Sequence, residues 1–550
     1  MSSTAPPEAV PQAPTRAARA GALMAISTLA MAGASAIQAV LYLGEYGATA
    51  RTDAFFAAFA VYQVVGVFTQ ATRVSSVPLL VGDKAIGMLR FFGGLAVIAL
   101  PIIVACGPLA GPLADLLAPS ATGSAHDLAV SALRVLGVAI VLQLFAAGAA
   151  TLLGMRDRFE PVAAAYAFGA LAGLVVFLFV RTQGELSLAW SMLAMAVVTS
   201  TWAMVALLRV RREEVASGTG GLGLAGVERK QRLVVECFQT AGDLLGRSVV
   251  YFVINAFFLV TLAVVGREGG AGATTVLSYA YLLASYLVAG TSTAVGISRA
   301  PDMVRGAQDQ WKTVVADTVP HGYRYAALVS APILAAGVVA ATPVVDALLP
   351  TALGEGQAED LARYILLLGP WLAAALVLNF AIPALFALSK ARLVNVLAPF
   401  ALALHAAASV AGAAIAGVEG AIVGMFVAPF VFGVVLVVVG AGNTTAAVLR
   451  ELALDTLRAA GLAAVAFGAG AAVSSLVGAE ELLAAVVSLG LGGVLYGAGM
   501  LLLAPRAVQV LLGAGRGGGA ESSDAPGAGG VDATEATSAA PDGPGPQAPS

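Results

Sequence analysis

The chain reads as an all-α polytopic membrane protein, and three observations predict it. Hydrophobic residues make up 59% of its 550 positions and charged residues only 11%, with a mean hydropathy of +0.90, a balance that excludes an ordinary soluble protein. Apolar runs of about twenty residues, the length of helix that crosses a ~30 Å hydrocarbon core, recur along almost the whole sequence. The Lys and Arg residues gather in alternate connections between those runs, as they do in the cytoplasmic loops of membrane proteins. The net charge of -3 hides that asymmetry, and the sequence contains no basic domain suited to nucleic acid.

The first span, 21–43, follows Arg16 and Arg19; "ASAIQA" resembles a signal cleavage site, but the apolar length and the immediate second span predict a retained helix. The second, 55–80, is entered through "RTDAFFAAFAVYQ". Thr52 and Asp53 stand where side-chain oxygens accept from the free N–H groups of a helix start, and Arg51 is placed to pair with Asp53 or Glu45. Lys84 and Arg90 lie inside before the third span, 91–114, and Arg156 and Arg158 lie inside after the fourth, 128–153. Spans 162–180 and 186–208 make an outer hairpin around Arg181 and end at Arg209, Arg211 and Arg212. Beyond the linker, spans 242–265 and 273–298 turn outside at Arg267 and return to Arg299, Arg305 and Lys312. Spans 325–349 and 364–388 turn at Arg363 and return to Lys390 and Arg392, and 393–416 with 420–441 lead to Arg450 and Arg458. The last pair, 453–478 and 482–504, ends before Arg506 and Arg516, which makes fourteen helices with both termini cytoplasmic.

The expected organisation is a disordered tail over 1–20, a first lobe over 21–208, a cytoplasmic linker over 209–241, a second lobe over 242–441, two further helices over 442–504 and a disordered tail over 505–550. A repeat supports the two lobes. "ATRVSSVPLL" aligns with "AVGISRAPDM", setting Pro78 opposite Pro301; "PLADLLAP" aligns with "PVVDALLP", setting Asp115 opposite Asp346; "GMRDRFEPV" aligns with "LSKARLVNV", setting Arg156 opposite Lys390. Equivalent members are separated by an even number of helices, so the lobes share orientation and are related by an axis along the membrane normal, with a cleft between them.

No catalytic constellation stands out, and no enzyme activity is expected. His126, His321 and His405 are scattered without metal-ligand spacing, Cys106 and Cys237 fall on different parts of the topology, and the glycine-rich stretches follow no strand; neither metal, disulfide nor cofactor is expected. The informative residues are polar and ionisable groups inside spans, where burial costs at least about 2.5 kcal/mol unless a group is paired or hydrated. Arg73 lies about two turns inside the second span, and Arg247 has Asp243 four residues before it, at ion-pair spacing. Gln38, Gln63, Gln70, Gln143, Asn255 and Asn379 are candidates to line a wet path.

"YLGEYGATAR" followed by "TDAFFAAF" resembles the first loop and second helix of the MurJ/MviN lipid II flippases, members of the MATE-like MOP transporter superfamily. "VLSYAYLLASYLVAGTSTAVGISRAPDM" is similar to that family's eighth helix and adds Tyr279 to the cleft candidates. The resemblance implies a bacterial inner-membrane flippase that moves a polyprenyl-diphosphate-linked glycan precursor outward by alternating access, with Asp53 and Arg51 at the outer gate. It also implies the lipid bilayer, the lipid-linked glycan and cell-wall synthesis proteins as partners. The chain departs from the family where basic residues are usual: the first span has no arginine, Gly66 and Val67 occupy the second, and Leu282 the eighth. A diphosphate needs compensating charge, which Arg73 and Arg247 are left to supply. The alternatives are a MATE-type cation-coupled drug exporter, a polysaccharide-lipid exporter, and a non-transporting relative that scaffolds cell-wall enzymes.

Overall fold

A computed structural model describes residues 16–75, 80, 87–156, 158–217, 230–288, 291, 314–348, 353–354, 356–388, 390–477 and 481–503. Among these the chain is helical, with no strand. The first half comprises α1 (Arg16–Tyr46), α2 (Ala50–Ser75), α3 (Met88–Cys106), α4 (Ala110–Leu117), α5 (Ser124–Gly154), α6 (Phe159–Val180) and α7 (Ser187–Ala216). The second half opens on α8 (Lys230–Glu268) and α9 (Ala273–Val288). It continues through α10 (Val314–Leu348), α11 (Gln357–Leu367), α12 (Gly369–Ala387), α13 (Ala391–Ala441), α14 (Thr445–Val477) and α15 (Glu481–Leu503).

Nine helical stretches among the described residues are long and apolar enough to cross a membrane. Large apolar side chains face outward along them, with Phe179, Ile415 and Leu502 78%, 86% and 82% exposed. Such exposure would promote aggregation in water and is satisfied by lipid, so the chain is a multi-pass membrane protein.

Several boundaries differ from expectation for identifiable reasons. The run 91–114 is two helices, α3 and α4, because Pro108 lacks an N–H and disfavours helical backbone at Gly107, where α3 ends. The run 364–388 divides between α11 and α12 at Leu368, where Pro370 falls in the first turn of α12, and α11 starts seven residues early, at Gln357. Helix also enters regions expected to be tail or linker: α1 starts at Arg16, α7 continues to Ala216 and α8 begins at Lys230. The extension of α7 is rich in good helix formers and is held by Arg156–Glu214 at 2.6 Å and Arg158–Glu213 at 3.4 Å. Residues 1–15, 218–229 and 504–550, which hold the rest of the expected tails and linker, lie outside the described residues.

Within α13 the chain reverses at Ala416 and Gly417, the latter at φ 58°. The two arms, 391–415 and 418–441, pack so closely that a Cβ on Gly412 would come 2.1 Å from the Gly420 carbonyl oxygen, and one on Gly420 would come 2.0 Å from that of Gly412. Small residues bring membrane helices together in this way, because apolar burial gives helices no reason to associate inside lipid.

In the first half α1 packs on α6, α2 and α3 on α5, and α7 on α5 and α6. Phe91, Leu95, Leu144, Leu153, Tyr166 and Leu207 lie at the centre of one buried cluster there. In the second half α12 packs on α13, and α14 and α15 pack on each other and on α10. Helix α8 contacts both sets, touching α2 and α3 on one side and α13 on the other.

Candidate functional site

The two halves meet where the α1–α2 turn faces the α8–α9 turn. Thr49 and Thr52 cap α2 locally: Thr52 N–H lies 3.3 Å from Thr49 Oγ1, and Thr49 N–H donates to Thr52 Oγ1 at 2.8 Å. That reciprocal pair satisfies the α2 start, so Asp53 is not needed there, contrary to expectation. Its carboxylate reaches instead to α9, accepting Gly272 N–H at 2.7 Å, Thr275 N–H at 2.8 Å and Thr275 Oγ1–H at 2.7 Å. A carboxylate at the N-terminus of a helix satisfies orphan N–H groups and complements the positive end of the dipole. Burial raises the Asp53 carboxyl above the ordinary range, and the three donors offset only part of that cost.

Gly272 is required at this junction. Its φ is 94°, and a Cβ there would fall 2.3 Å from Gln357 Nε2 and 2.7 Å from the Ala48 carbonyl oxygen. Gln357 clasps the same turn from the α11 side, donating to the Ala271 carbonyl at 3.1 Å and accepting Gly354 N–H at 2.8 Å. The α8–α9 turn is therefore gripped by α1–α2 and α11 together. Beside it lies a cavity of about 130 Å³ lined by Asp53, Ala54, Ala57, Gly266, Gly270 and Thr274 among others.

Arg51 pairs with neither Asp53 nor Glu45. Its guanidinium forks onto Glu185 at 2.5 and 3.0 Å and donates to Ser124 Oγ at 2.9 Å. The planar fork matches a carboxylate, and Glu185 in the α6–α7 turn presents one where the local acids do not. The Arg51 bond holds the Glu185 carboxyl below its ordinary range. Tyr42 donates to the Glu185 carbonyl at 3.1 Å, and Tyr46 accepts Gly184 N–H at 3.0 Å while donating to the Arg181 carbonyl. The α1–α2 turn is thus fixed to the first half, and the Asp53 carboxylate, with Thr52 beside it, reaches across to the second.

Tyr279 joins the same interface one turn further along α9. Its hydroxyl donates to the Ala39 carbonyl at 2.8 Å, and its ring meets Phe56 edge-on at 5.2 Å. Gln38, beside Ala39, is buried, and its Oε1 has no hydrogen-bond partner among the described residues. Gln63 is half-buried on α2 and Gln143 is buried on α5. Asn255 and Asn379 donate to the carbonyls of Tyr251 and Ala375 on their own helices, at 2.7 and 2.9 Å. Arg247 is half-buried on α8 while Asp243 is exposed, and among the described residues the expected ion pair between them is not formed. The side chains of Arg73 and Gln70 lie outside the described residues. The structure thus brings Asp53, Tyr279 and Gln38 to one interface and places Arg51 beside it as a brace.

Glu185, Gly272, Thr275 and Gln357 escaped sequence reasoning. "GREGGAGATT" did carry a signal for two of them, since a glycine-rich turn ending in threonines marks a helix start. Nothing in that stretch names the acid that caps it.

In its fold the chain is similar to solved membrane transporters of the MOP superfamily. The likeness is to a lipid II flippase, MurJ, in an inward closed conformation, with TM-score 0.63 and 12% identity over 88% of this chain and 100% of that one. An inward-facing multidrug resistance MATE transporter of the MOP superfamily matches at TM-score 0.58 and 15% identity, over 78% of this chain and 99% of that one. An outward-facing MATE transporter of that superfamily matches at 0.53 and 15%, over 79% and 96%. No family model and no curated protein matches the sequence.

Proposed function

We propose that the chain is a flippase of the bacterial inner membrane that moves a polyprenyl-diphosphate-linked glycan precursor from the cytoplasmic to the outer leaflet by alternating access. Its fourteen spans form two six-helix lobes and a terminal pair, with both termini cytoplasmic and the α1–α2 and α8–α9 turns at the outer face. The observation that carries this reading is the latch from Asp53 to the start of α9, which closes one end of the interface between halves through groups that can part without breaking either half. Thr52 and Thr275, whose oxygens lie 3.2 Å apart, are 223 residues apart in sequence, the same shift that sets Pro78 opposite Pro301. Equivalent residues of two repeats meet only on the axis that relates them, which supports the two-lobe arrangement.

Arg73 and Arg247 are the positive charges assigned to the headgroup, with Gln38, Gln63, Gln70, Asn255 and Tyr279 lining its path. The test is outward movement of labelled polyprenyl-diphosphate glycan in vesicles. An Arg–phosphate contact contributes about 1.5–3 kcal/mol, so Arg73→Gln is expected to slow movement about ten- to a hundredfold and Arg73→Lys less. Equal rates for the three proteins would remove Arg73 from the site. The similarity to MATE transporters keeps cation-coupled export of a small molecule as the second reading, supported by vesicles that export a cationic dye and leave the glycan lipid in place.

A further inference from the structure

Helix α8 is held by different partners along its length. Over 236–244 it is built into the first half: Glu236 pairs with Arg90 at 2.8 Å, Cys237 and Thr240 lie against Gly93 and Gly94, and Ala241 and Leu244 belong to the cluster around Phe91 and Leu95. Over 257–261 it is built onto α13: Phe257 stacks on His405 at 4.6 Å between ring centres, and Thr261 Oγ1 lies 2.9 Å from His405 Nε2 and 3.3 Å from Ser409 Oγ. One helix is shared by two bodies, and the change of partner falls between 244 and 257.

Asn395 of α13 enters at that change. Val250 N–H donates to Asn395 Oδ1 at 3.3 Å, and Asn395 Nδ2 donates to the Gly246 carbonyl. Gly246 and Val250 are residues i and i+4, the acceptor and donor of one rung of the helix ladder. A primary amide carries a donor and an acceptor together and can serve both members of such a rung at once. The helix is continuous through this rung, and a side chain bonded to both of its members marks a place where the helix can bend. Inside a bilayer, where no water replaces a lost rung, an amide placed beside it can satisfy both backbone groups when the helix bends.

We propose that Asn395 is a positioning residue that makes 246–250 the pivot of α8, about which the segment bound to α3 moves relative to the segment bound to α13. The pivot does not depend on which substrate is carried, so its test and a transport assay fail separately.

The experiment uses the full chain in lipid nanodiscs, with Cys106 and Cys237 replaced by serine and nitroxides placed at Gln239 and Arg267, both exposed. These labels bracket the pivot on one helix and stand about 42 Å apart when it is straight, at ~1.5 Å per residue. The wild type is expected to give two distance components by pulsed electron resonance, one near that length and one shorter. Asn395→Leu, which matches the shape without donor or acceptor, is expected to lose the shorter component. Asn395→Asp keeps the acceptor only and is expected to lose part of it. A Cβ on Gly246 meets nothing within 4 Å, so Gly246→Ala stiffens the pivot without clash and shrinks the shorter component. Gly242→Ala, equally open but one turn away, leaves it unchanged. A single component in the wild type, or a distribution that both Asn395 variants share with it, would overturn the proposal; if the leucine variant does not fold, the aspartate and Gly246 variants decide.

Discussion

Asp53 caps a helix to which it does not belong, and that displacement makes it a latch as well as a cap. Its three charge-assisted bonds are each of a kind that contributes about 1.5–3 kcal/mol, set against the cost of burying the carboxylate. Asp53→Asn keeps the shape, removes the charge and turns an N–H face toward donors. The interface is then expected to loosen, and a cysteine at Ala57, buried beside the cavity, to react with thiol reagents about tenfold faster. Gly272→Val, which meets both a left-handed φ and a clash with Gln357, should move the labelling in the same direction; unchanged labelling in both variants would mean that the latch does not hold the interface closed. At this scale the sequence was half legible. "TDAFFAAF" identified Asp53 and Thr52 as special, but the partners are 219 and 222 residues away for Asp53 and 134 away for Arg51. Local reasoning matched Arg51 with the nearest acids, whereas tertiary packing supplied a better-shaped one.

Among the elements, the α6–α7 turn shows how one ion pair ties three helices. Glu185 carries a carboxyl held low chiefly by its bond to Arg51, so its contribution is fully present above the ordinary carboxylate pKa of about 4.3 and is lost as pH falls through the lower folded value. The gap in thermal stability between wild type and Glu185→Gln is therefore expected to be the same at pH 7 and pH 5 and to close below about pH 4. Because Arg51 is 44% exposed, screening limits the gap to about 1 kcal/mol or less. A gap that closed at neutral pH would place the controlling proton elsewhere. Apolar length located the helices along the chain, and the two runs that proved to be divided share a cause: Pro108 and Pro370 interrupt stretches that hydropathy alone reads as continuous. Hydropathy is equally blind to the polar ends of α7 and α8, which are helical because Arg156, Arg158 and Arg90 provide partners for their acids.

For the molecule as a whole, the membrane class was legible from composition, because a surface that exposes Ile415 and Leu502 to this degree requires apolar residues everywhere. The way the halves meet was not, since it depends on residues whose partners lie more than two hundred positions away. Orientation in the membrane rests on the alternation of basic residues. Single cysteines at Arg51 and Glu355 should be labelled from outside intact cells and one at Ala225 should not; strong labelling at Ala225 would reverse the topology. The central claim is that the junction of α2 with α9 must open for the lipid to pass. Its most direct test is a disulfide between Thr52→Cys and Thr275→Cys, whose native side-chain oxygens lie 3.2 Å apart, formed in vesicles from a chain with Cys106 and Cys237 replaced. Oxidation is expected to stop movement of labelled polyprenyl-diphosphate glycan and reduction to restore it, with either single cysteine unaffected. Undiminished movement through a fully cross-linked protein would contradict the account.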